Sequence, residues 1–300
     1  MVKRLSLLIL LFLVACQGVT KTPDPYPILA ESQQDKFYYS HLPIQSVSET
    51  VITTPKKGVA LASTCGTDRF VGDVRELGGS WFYTWLTAFD GTYPAGVEFV
   101  PMIWGATFIN TPIGGTSNYI LGFNEPDSCI GQSCLTPEQA AVLWRQIEGK
   151  YPNKKLVAPS VSSGILDWLD RFVKAYKDIY KVPPRLDSLG AHVYYPTADQ
   201  GIAYLDQMIQ RANWYGAADV WVTEYAMIGA EDVVTQSWAL TTWMEYNPRI
   251  GRYSIFTNRT ECLHPFFGGF YDPYELVSPT ELTRLGEAYQ EFPYSGGVIR

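Results

Sequence analysis

The sequence predicts a (β/α)8 barrel with a partly incomplete outer helix ring, and three observations lead to it. Eight short apolar runs of β type follow one another between residues 57 and 257, and amphipathic helical patterns separate several of them. Eight such units in about 240 residues favour closure into a barrel over an open sheet. No GxGxxG follows any of the runs, so the main signature of a doubly wound dinucleotide fold is missing.

In chain order the runs are "KGVALAS" (57–63), "SWFYTWL" (80–86), "VEFVPMIW" (97–104), "NYILGFNE" (118–125), "KLVAPSV" (155–161), "SLGAHVYY" (188–195), "DVWVTEY" (219–225) and "GRYSIFT" (251–257). Parallel strands covered on both faces read as continuous apolar stretches of this kind. Between them, Ile165, Trp168, Leu169, Phe172, Val173, Tyr176 and Ile179 recur at helical spacing and predict one buried helix face. Thr136-Pro137-Glu138-Gln139 opens another helix with an N-cap, a proline at the first helical position and a capping-box glutamine. The connections after the second and third runs are rich in glycine and proline, and long helices are not expected there.

The first 55 residues are of another kind. Met1-Val2-Lys3-Arg4 is a short basic region, the apolar run from Leu5 to Val14 is too short to span a bilayer, and Leu13-Val14-Ala15-Cys16 resembles a bacterial lipobox. The expectation is a signal peptide over 1–15, a lipidated Cys16, a flexible tether over 16–55 rich in Pro, Gln, Ser and Thr, and the barrel domain over 56–300. Such a chain would be a monomer held to the membrane of a bacterial cell envelope. Loss of Lys3 and Arg4 takes the formal charge from -7 to -9, and without a basic cluster the chain is a poor partner for nucleic acid, whereas a neutral glycan is not repelled. Cys129 and Cys134 bracket a four-residue loop and, in an oxidising compartment, predict a disulfide; Cys65 and Cys262 remain as a possible long-range pair. With no CxxC and three histidines in the chain, no metal site is expected, and nothing calls for a cofactor.

In a barrel of this type the reacting groups sit at the C-terminal ends of strands. Glu125 ends the fourth run and Glu224 the seventh, so their carboxyl groups can meet across one mouth. Two carboxyl groups flanking a glycosidic bond are the minimum machinery for its hydrolysis, one protonating the leaving oxygen and the other attacking the anomeric carbon or activating water. Asn124, beside Glu125, could donate to a sugar hydroxyl. Asp127 follows Pro126 and is read as a turn residue.

The segments "FVPMIWG" (99–105), "YILGFNEPD" (119–127), "QSCLTPEQAA" (132–141), "AHVYY" (191–195), "VWVTEYA" (220–226) and "LTRLGEAYQ" (282–290) together resemble the Asl1-like catalytic domain, glycoside hydrolase family 128 of clan A. That resemblance implies a retaining endo-β-1,3-glucanase acting on β-glucan, with Glu125 as acid/base and Glu224 as nucleophile. It further implies that Asn124 contacts the sugar 2-hydroxyl, that His192 and Tyr194 line the cleft, and that Trp85 and Trp104 stack on sugar rings. Tyr83 and Tyr225, beside these positions, are also candidates for substrate contact. Two departures stand out. The family's Tyr-Asn-Trp is Tyr83-Thr84-Trp85 here, and the eighth strand carries Ile255 where an aromatic is usual, with Phe256 next to it. A glycan-binding lipoprotein without catalysis is the alternative reading, but such barrels usually lose one of the two carboxylates.

Overall fold

All eight runs form strands: β1 (Lys57–Ala60), β2 (Trp81–Tyr83), β3 (Glu98–Phe99), β4 (Tyr119–Leu121), β5 (Lys155–Val157), β6 (Leu189–Tyr194), β7 (Val220–Ala226) and β8 (Ile250–Ile255). The computed structural model describes residues 54–62, 71–261, 263, 269–278 and 281–293. Cys16, Cys65, Cys262, the signal segment and most of the tether lie outside the described residues. Parallel pairing runs β3-β2-β1-β8-β7-β6 and β4-β5. Parallel bridges from Met102 to Leu121 and from Val157 to Ser188 join the two groups into a closed ring.

Alternation along the strands sorts side chains into two layers. Trp81, Tyr83, Val100, Met102, Leu121, Val157 and Trp221 fill the barrel, while a larger apolar cluster packs between strands and helices. The N-terminal end of the barrel is plugged by Arg252, which lies 4.5 Å over the Trp221 ring, 5.4 Å over Tyr119 and 5.5 Å over Trp81. Its guanidinium donates to Glu98 at 2.6 Å. Charge and aromatic faces together close that mouth.

The outer layer comprises α1 (Val71–Glu76), α2 (Pro137–Lys150), α3 (Leu166–Tyr180), α4 (Ala198–Tyr215), α5 (Val233–Tyr246) and α6 (Arg284–Glu291). Between β2 and β3 there is no helix, and between β3 and β4 a single 3-10 turn, Ala106–Phe108, as the glycine and proline content predicted. Thr136 and Gln139 form the expected capping box at the start of α2. On α3, Trp168, Leu169, Phe172, Val173 and Tyr176 are buried, but Ile165 and Ile179 are 41% and 45% exposed. The helix begins one residue after Ile165, and Ile179 sits in its final turn beyond the reach of the sheet.

Lys57 is a fully buried lysine at the start of β1. Its Nζ donates to the carbonyls of Tyr289, Phe292 (2.6 Å) and Gln290 (3.3 Å), at the C-terminal end of α6. The ammonium lies 4.5 Å from the centre of the Tyr289 ring. The last helix is thereby fastened to the first strand, with the cation at the negative end of the helix dipole. Burial pulls the lysine pKa down to about 7, against the opposing pull of Glu245.

Candidate active site

The tips of β4 and β7 hold the two glutamates, each by a local departure from regular geometry. Glu125 has φ 38°, in the left-handed region that non-glycine residues adopt at a cost of about 1 kcal/mol or more. Its N–H donates to the Ser160 carbonyl at 2.8 Å, so the strained turn is tied to the strand beside it. On β7, strict alternation from the inward Trp221 would point Glu224 outward and Tyr225 inward. The pairing with β8 shifts between Val222 and Tyr225 and reverses that order. Glu224 faces the cleft. Tyr225 is buried in the layer between strands and helices, its hydroxyl 2.7 Å from Thr241 of α5. The expectation that Tyr225 meets substrate is therefore corrected: the same shift that delivers Glu224 turns its neighbour away.

Glu224 is surrounded by donors from three directions. Trp85 Nε1 donates to Oε1 at 2.8 Å and the Tyr194 hydroxyl to Oε2 at 2.5 Å, while the Tyr83 hydroxyl, 3.2 Å from Oε1, shares its one proton with the Thr223 carbonyl at 2.9 Å. Trp85 has φ 58°, so a second strained residue aims its indole N–H at the same carboxyl group. Burial, with the nearby Glu224 charge adding to it, raises the phenols of Tyr83 and Tyr194 well above their ordinary 10. Both hydroxyls thus stay donors through the working range of pH. Tyr83 is fully buried and touches the carboxylate, not the open cleft. Glu125 has a different environment. Its side chain is 14% exposed against 6% for Glu224, and its hydrogen-bond partner is His192 Nδ1 at 2.8 Å. His192 is itself fully buried. Burial works against its imidazolium, but Glu224 and Glu125 overcome that and raise the pKa above its ordinary value.

Asn124 is 2% exposed, and its Nδ2 donates to Gln132 Oε1 at 2.9 Å. Ser133 Oγ donates to the Asn124 carbonyl at 2.7 Å. Both partners lie inside the loop closed by the Cys129–Cys134 disulfide, which is present with the Cα atoms 4.3 Å apart. The loop packs so closely that a Cβ on Gly105, just after Trp104, would lie 2.9 Å from the Ser133 Cβ. Asp127 acts as the turn residue expected, its Oδ1 accepting from the Ser162 N–H at 3.0 Å and joining the loop after β4 to the one after β5. The Asn124 Oδ1 is buried without a hydrogen-bond partner among the described residues.

Aromatic rings extend from the carboxylates toward the rim. Trp85, Trp104, Tyr194 and Tyr271 are partly buried against the cluster inside the barrel. Phe256 packs edge-on against Trp85 (5.8 Å), Tyr194 (6.0 Å) and Tyr271 (5.1 Å). Arg252, Ser254 and Phe256 share the inner face of β8 and its extension by ordinary alternation, so the aromatic expected at Ile255 is supplied one residue later. Ile255 packs outward. Thr84, where the related motif carries an amide, is buried with its hydroxyl unpartnered among the described residues. Phe256, which from the sequence could replace the missing aromatic only through a register shift, does so without one; Gln132 and Tyr271 were not anticipated.

Among the described residues, Glu125, His192 and Glu224 form a cluster whose donor atoms lie within 4.8 Å of one another. A cation placed there would compete with the Trp85 and Tyr194 donors on Glu224 and with His192, whose imidazolium the two carboxyl groups favour.

A family model described as the glycosyl hydrolase catalytic core matches residues 61–289. A search of the curated proteins found no match. Among solved structures, a subgroup I endo-β-1,3-glucanase of glycoside hydrolase family 128 from Amycolatopsis mediterranei, complexed with laminaritriose, is similar at 27% identity and TM-score 0.62, covering 79% of this chain and 99% of that one. A subgroup II endo-β-1,3-glucanase from Pseudomonas viridiflava is similar at 26% identity and TM-score 0.58 over 81% of this chain and 100% of that one. A subgroup III curdlan-specific exo-β-1,3-glucanase from Blastomyces gilchristii, complexed with glucose, is similar at 25% identity and TM-score 0.59 over 78% and 97%. Since the family match runs from the residue after β1 into α6, this chain belongs to the glycosyl hydrolase catalytic core family and is a glycoside hydrolase.

Proposed function

We propose that the chain is a retaining endo-β-1,3-glucanase, with Glu224 as nucleophile and Glu125 as acid/base. The observation that carries the assignment is the asymmetry of the two carboxyl groups at close range. One oxygen of each carboxyl group lies within 4.8 Å of one of the other, a close approach of the kind a retaining pair, spaced about 5 to 5.5 Å, requires. A nucleophile must be ionised when substrate arrives, and Glu224 has the Trp85 indole and the Tyr194 hydroxyl as neutral donors, with Tyr83 shared between it and a carbonyl. An acid/base must exchange a proton in each half of the cycle, and Glu125 is the more exposed and less encumbered of the two.

In the first half-reaction Glu224 attacks the anomeric carbon while Glu125 protonates the departing oxygen. In the second, Glu125 takes a proton from water as water displaces Glu224. Trp85 and Trp104 offer faces to the apolar C–H side of pyranose rings, and Asn124 is the candidate contact for the 2-hydroxyl. The substrate class is supported by the Amycolatopsis enzyme, which has been solved with either of two glutamates replaced and laminari-oligosaccharides bound. A lipid anchor at Cys16 and a tether over 16–55, carrying a monomeric barrel on a bacterial envelope, complete the proposal and rest on the sequence pattern alone.

A product profile on laminarin, curdlan, cellulose, chitin and xylan tests the substrate, and internal cleavage of laminarin separates endo from exo action. Glu224→Gln should abolish turnover, while Glu125→Gln should spare the first step on substrates with activated leaving groups. Full activity in Glu224→Gln would overturn the nucleophile assignment, whereas a wild-type protein that binds these glycans and cleaves none of them would move it to the glycan-binding alternative.

A further inference from the structure

We propose that the ends of α3, α4 and α5 form a membrane-docking face that rests on lipid headgroups; this rests on the lipid anchor proposed above. Helices of the barrel run opposite to its parallel strands, so their last turns lie at the N-terminal ends of the strands, across the molecule from Glu125 and Glu224. Four large apolar side chains stand exposed there in three successive units. Ile179 is in the last turn of α3 and Val182 just beyond it, Trp214 (63% exposed) is in the last turn of α4, and Tyr246 (71% exposed) is the last residue of α5. Among the described residues, no other helix of the ring ends in an exposed large apolar side chain.

The three helix ends adjoin one another. A groove of about 400 Å³ between α3 and α4 is lined by Pro183, Pro184, Asn213 and Trp214. Arg249, in the loop after α5, donates to the Ala217 carbonyl in the loop after α4 at 3.3 Å. Trp214 is held as well as exposed: Arg211, fixed by two hydrogen bonds to Asp170 at 2.9 and 2.8 Å, lies 5.7 Å from the centre of the indole ring. A large ring kept in one orientation at the surface loses little freedom when a partner covers it.

The course of the chain indicates which partner. Its described part begins at Thr54, whose hydroxyl donates to Glu245 Oε2 at 3.1 Å. Lys56 Nζ donates to the carbonyls of Glu245 (2.7 Å) and Asn247 (2.9 Å). The segment leading from Cys16 therefore joins the barrel beside Tyr246, on the face that carries the exposed rings. About 38 residues separate Cys16 from that point, and as a flexible chain they span on the order of 35 Å. Such a tether gives this face a millimolar effective concentration at the bilayer, so a patch too small to hold a free protein suffices. Trp and Tyr suit the boundary between water and hydrocarbon, where the ring enters the apolar region and the N–H or O–H stays among headgroups. Lys177 and Lys181 are exposed beside Ile179 and Val182, and Asp178 is paired with Lys174, so the rim of the patch favours anionic headgroups. A sugar is the poorer fit: the Tyr215 hydroxyl in the groove is committed to Asp170, and Asn213 alone offers an amide. Docked this way, the barrel opens its cleft away from the bilayer, toward polymer arriving from the aqueous side.

The mature full-length chain, reconstituted in vesicles of phosphatidylethanolamine and phosphatidylglycerol with and without brominated acyl chains, reports contact through quenching of tryptophan. Brominated lipid should remove about one ninth of the wild-type emission, the share of one tryptophan in nine, and none from Trp214→Phe. Val182→Glu combined with Tyr246→Glu should abolish the quenching and leave kcat/KM for soluble laminari-oligosaccharides unchanged. Equal emission in the two vesicle types, from protein that floats with the vesicles and carries lipid on Cys16 by mass, would overturn the docking face and leave the anchor standing. Protein that neither floats nor carries lipid would remove the anchor, and the docking face with it. Quenching that persists in Trp214→Phe would put another face against the bilayer and overturn the assignment. Unquenched wild-type emission with weaker adsorption of Trp214→Ala to curdlan would give the patch to glycan instead.

Discussion

Lys57 makes the stability of the barrel rise with pH, as acid denaturation does, but in a window above neutrality where carboxylates no longer titrate. In the unfolded chain its pKa is the ordinary 10.5, and in the barrel burial brings it to about 7. Between those values the unfolded state binds more protons than the folded one, so stability rises with pH across this window. The full cost of holding the ammonium in place, present below pH 7, is about 5 kcal/mol for a shift of this size. Between pH 7 and pH 9 the folded state should recover about 2 kcal/mol of it. Replacing Lys57 with Met keeps most of the stem volume and removes the titration. Urea unfolding of wild type and Lys57→Met at pH 6, 7, 8 and 9 gives a stability difference in which every other ionising group cancels to first order. That difference should grow in favour of wild type by about 2 kcal/mol from pH 7 to pH 9 and be flat below pH 7. A difference that stays constant from pH 7 to pH 9 would refute the reasoning. It would mean that the carbonyls of Tyr289, Gln290 and Phe292 and the Tyr289 ring retain the charge despite burial.

Trp85→Phe keeps the ring contacts with Tyr83 and Phe256 but removes the indole donor to Glu224; kcat for laminarin should fall about 10- to 100-fold, and an unchanged kcat would show that the bond does not matter in turnover. Mass mapping without reductant should find the Cys129–Cys134 bridge, and reduction should lower stability by about 2 kcal/mol while weakening substrate binding through Gln132 and Asn124. Equal KM in the oxidised and reduced protein would separate the loop from the site. Cys16→Ser should release active enzyme from membranes, and fractionation with continued membrane association would end the lipid-anchor proposal.

The barrel was legible because parallel strands buried on both faces leave unbroken apolar runs, and such runs stand out even where the hydrogen-bonded part is only two or three residues long, as in β2 and β3. Glu125 and Glu224 were legible because a carboxylate closing such a run has no structural reason to be there. Tyr225 was misplaced because adjacency to Glu224 says nothing about facing, and the register shift that decides it exists in the pairing of β7 with β8 and not in either strand alone. Phe256 could have been found by counting alternate residues from Arg252. Gln132 carried one weak signal, its place inside the cysteine bracket. Tyr271 carried none, since it comes from an irregular segment with no period. Lys57 was hidden as the polar first residue of an apolar run, and its partners arrive more than 230 residues later.

The gap in the helical layer beside β2 and β3 has a bearing on how this enzyme could diversify. Where helices cover a strand, an inserted residue rotates a packed face and is felt through the core; where residues 84–97 and 106–117 cover it, the chain can lengthen or shorten with little disturbance to the ring. Those same segments carry or adjoin Trp85 and Trp104, so the side of the barrel most open to insertion is also the side that would set how many sugar units are gripped. Changes of chain-length preference among barrels of this design should therefore accumulate as insertions and deletions there, while the two carboxylates, locked by strand register and strained turns, change last.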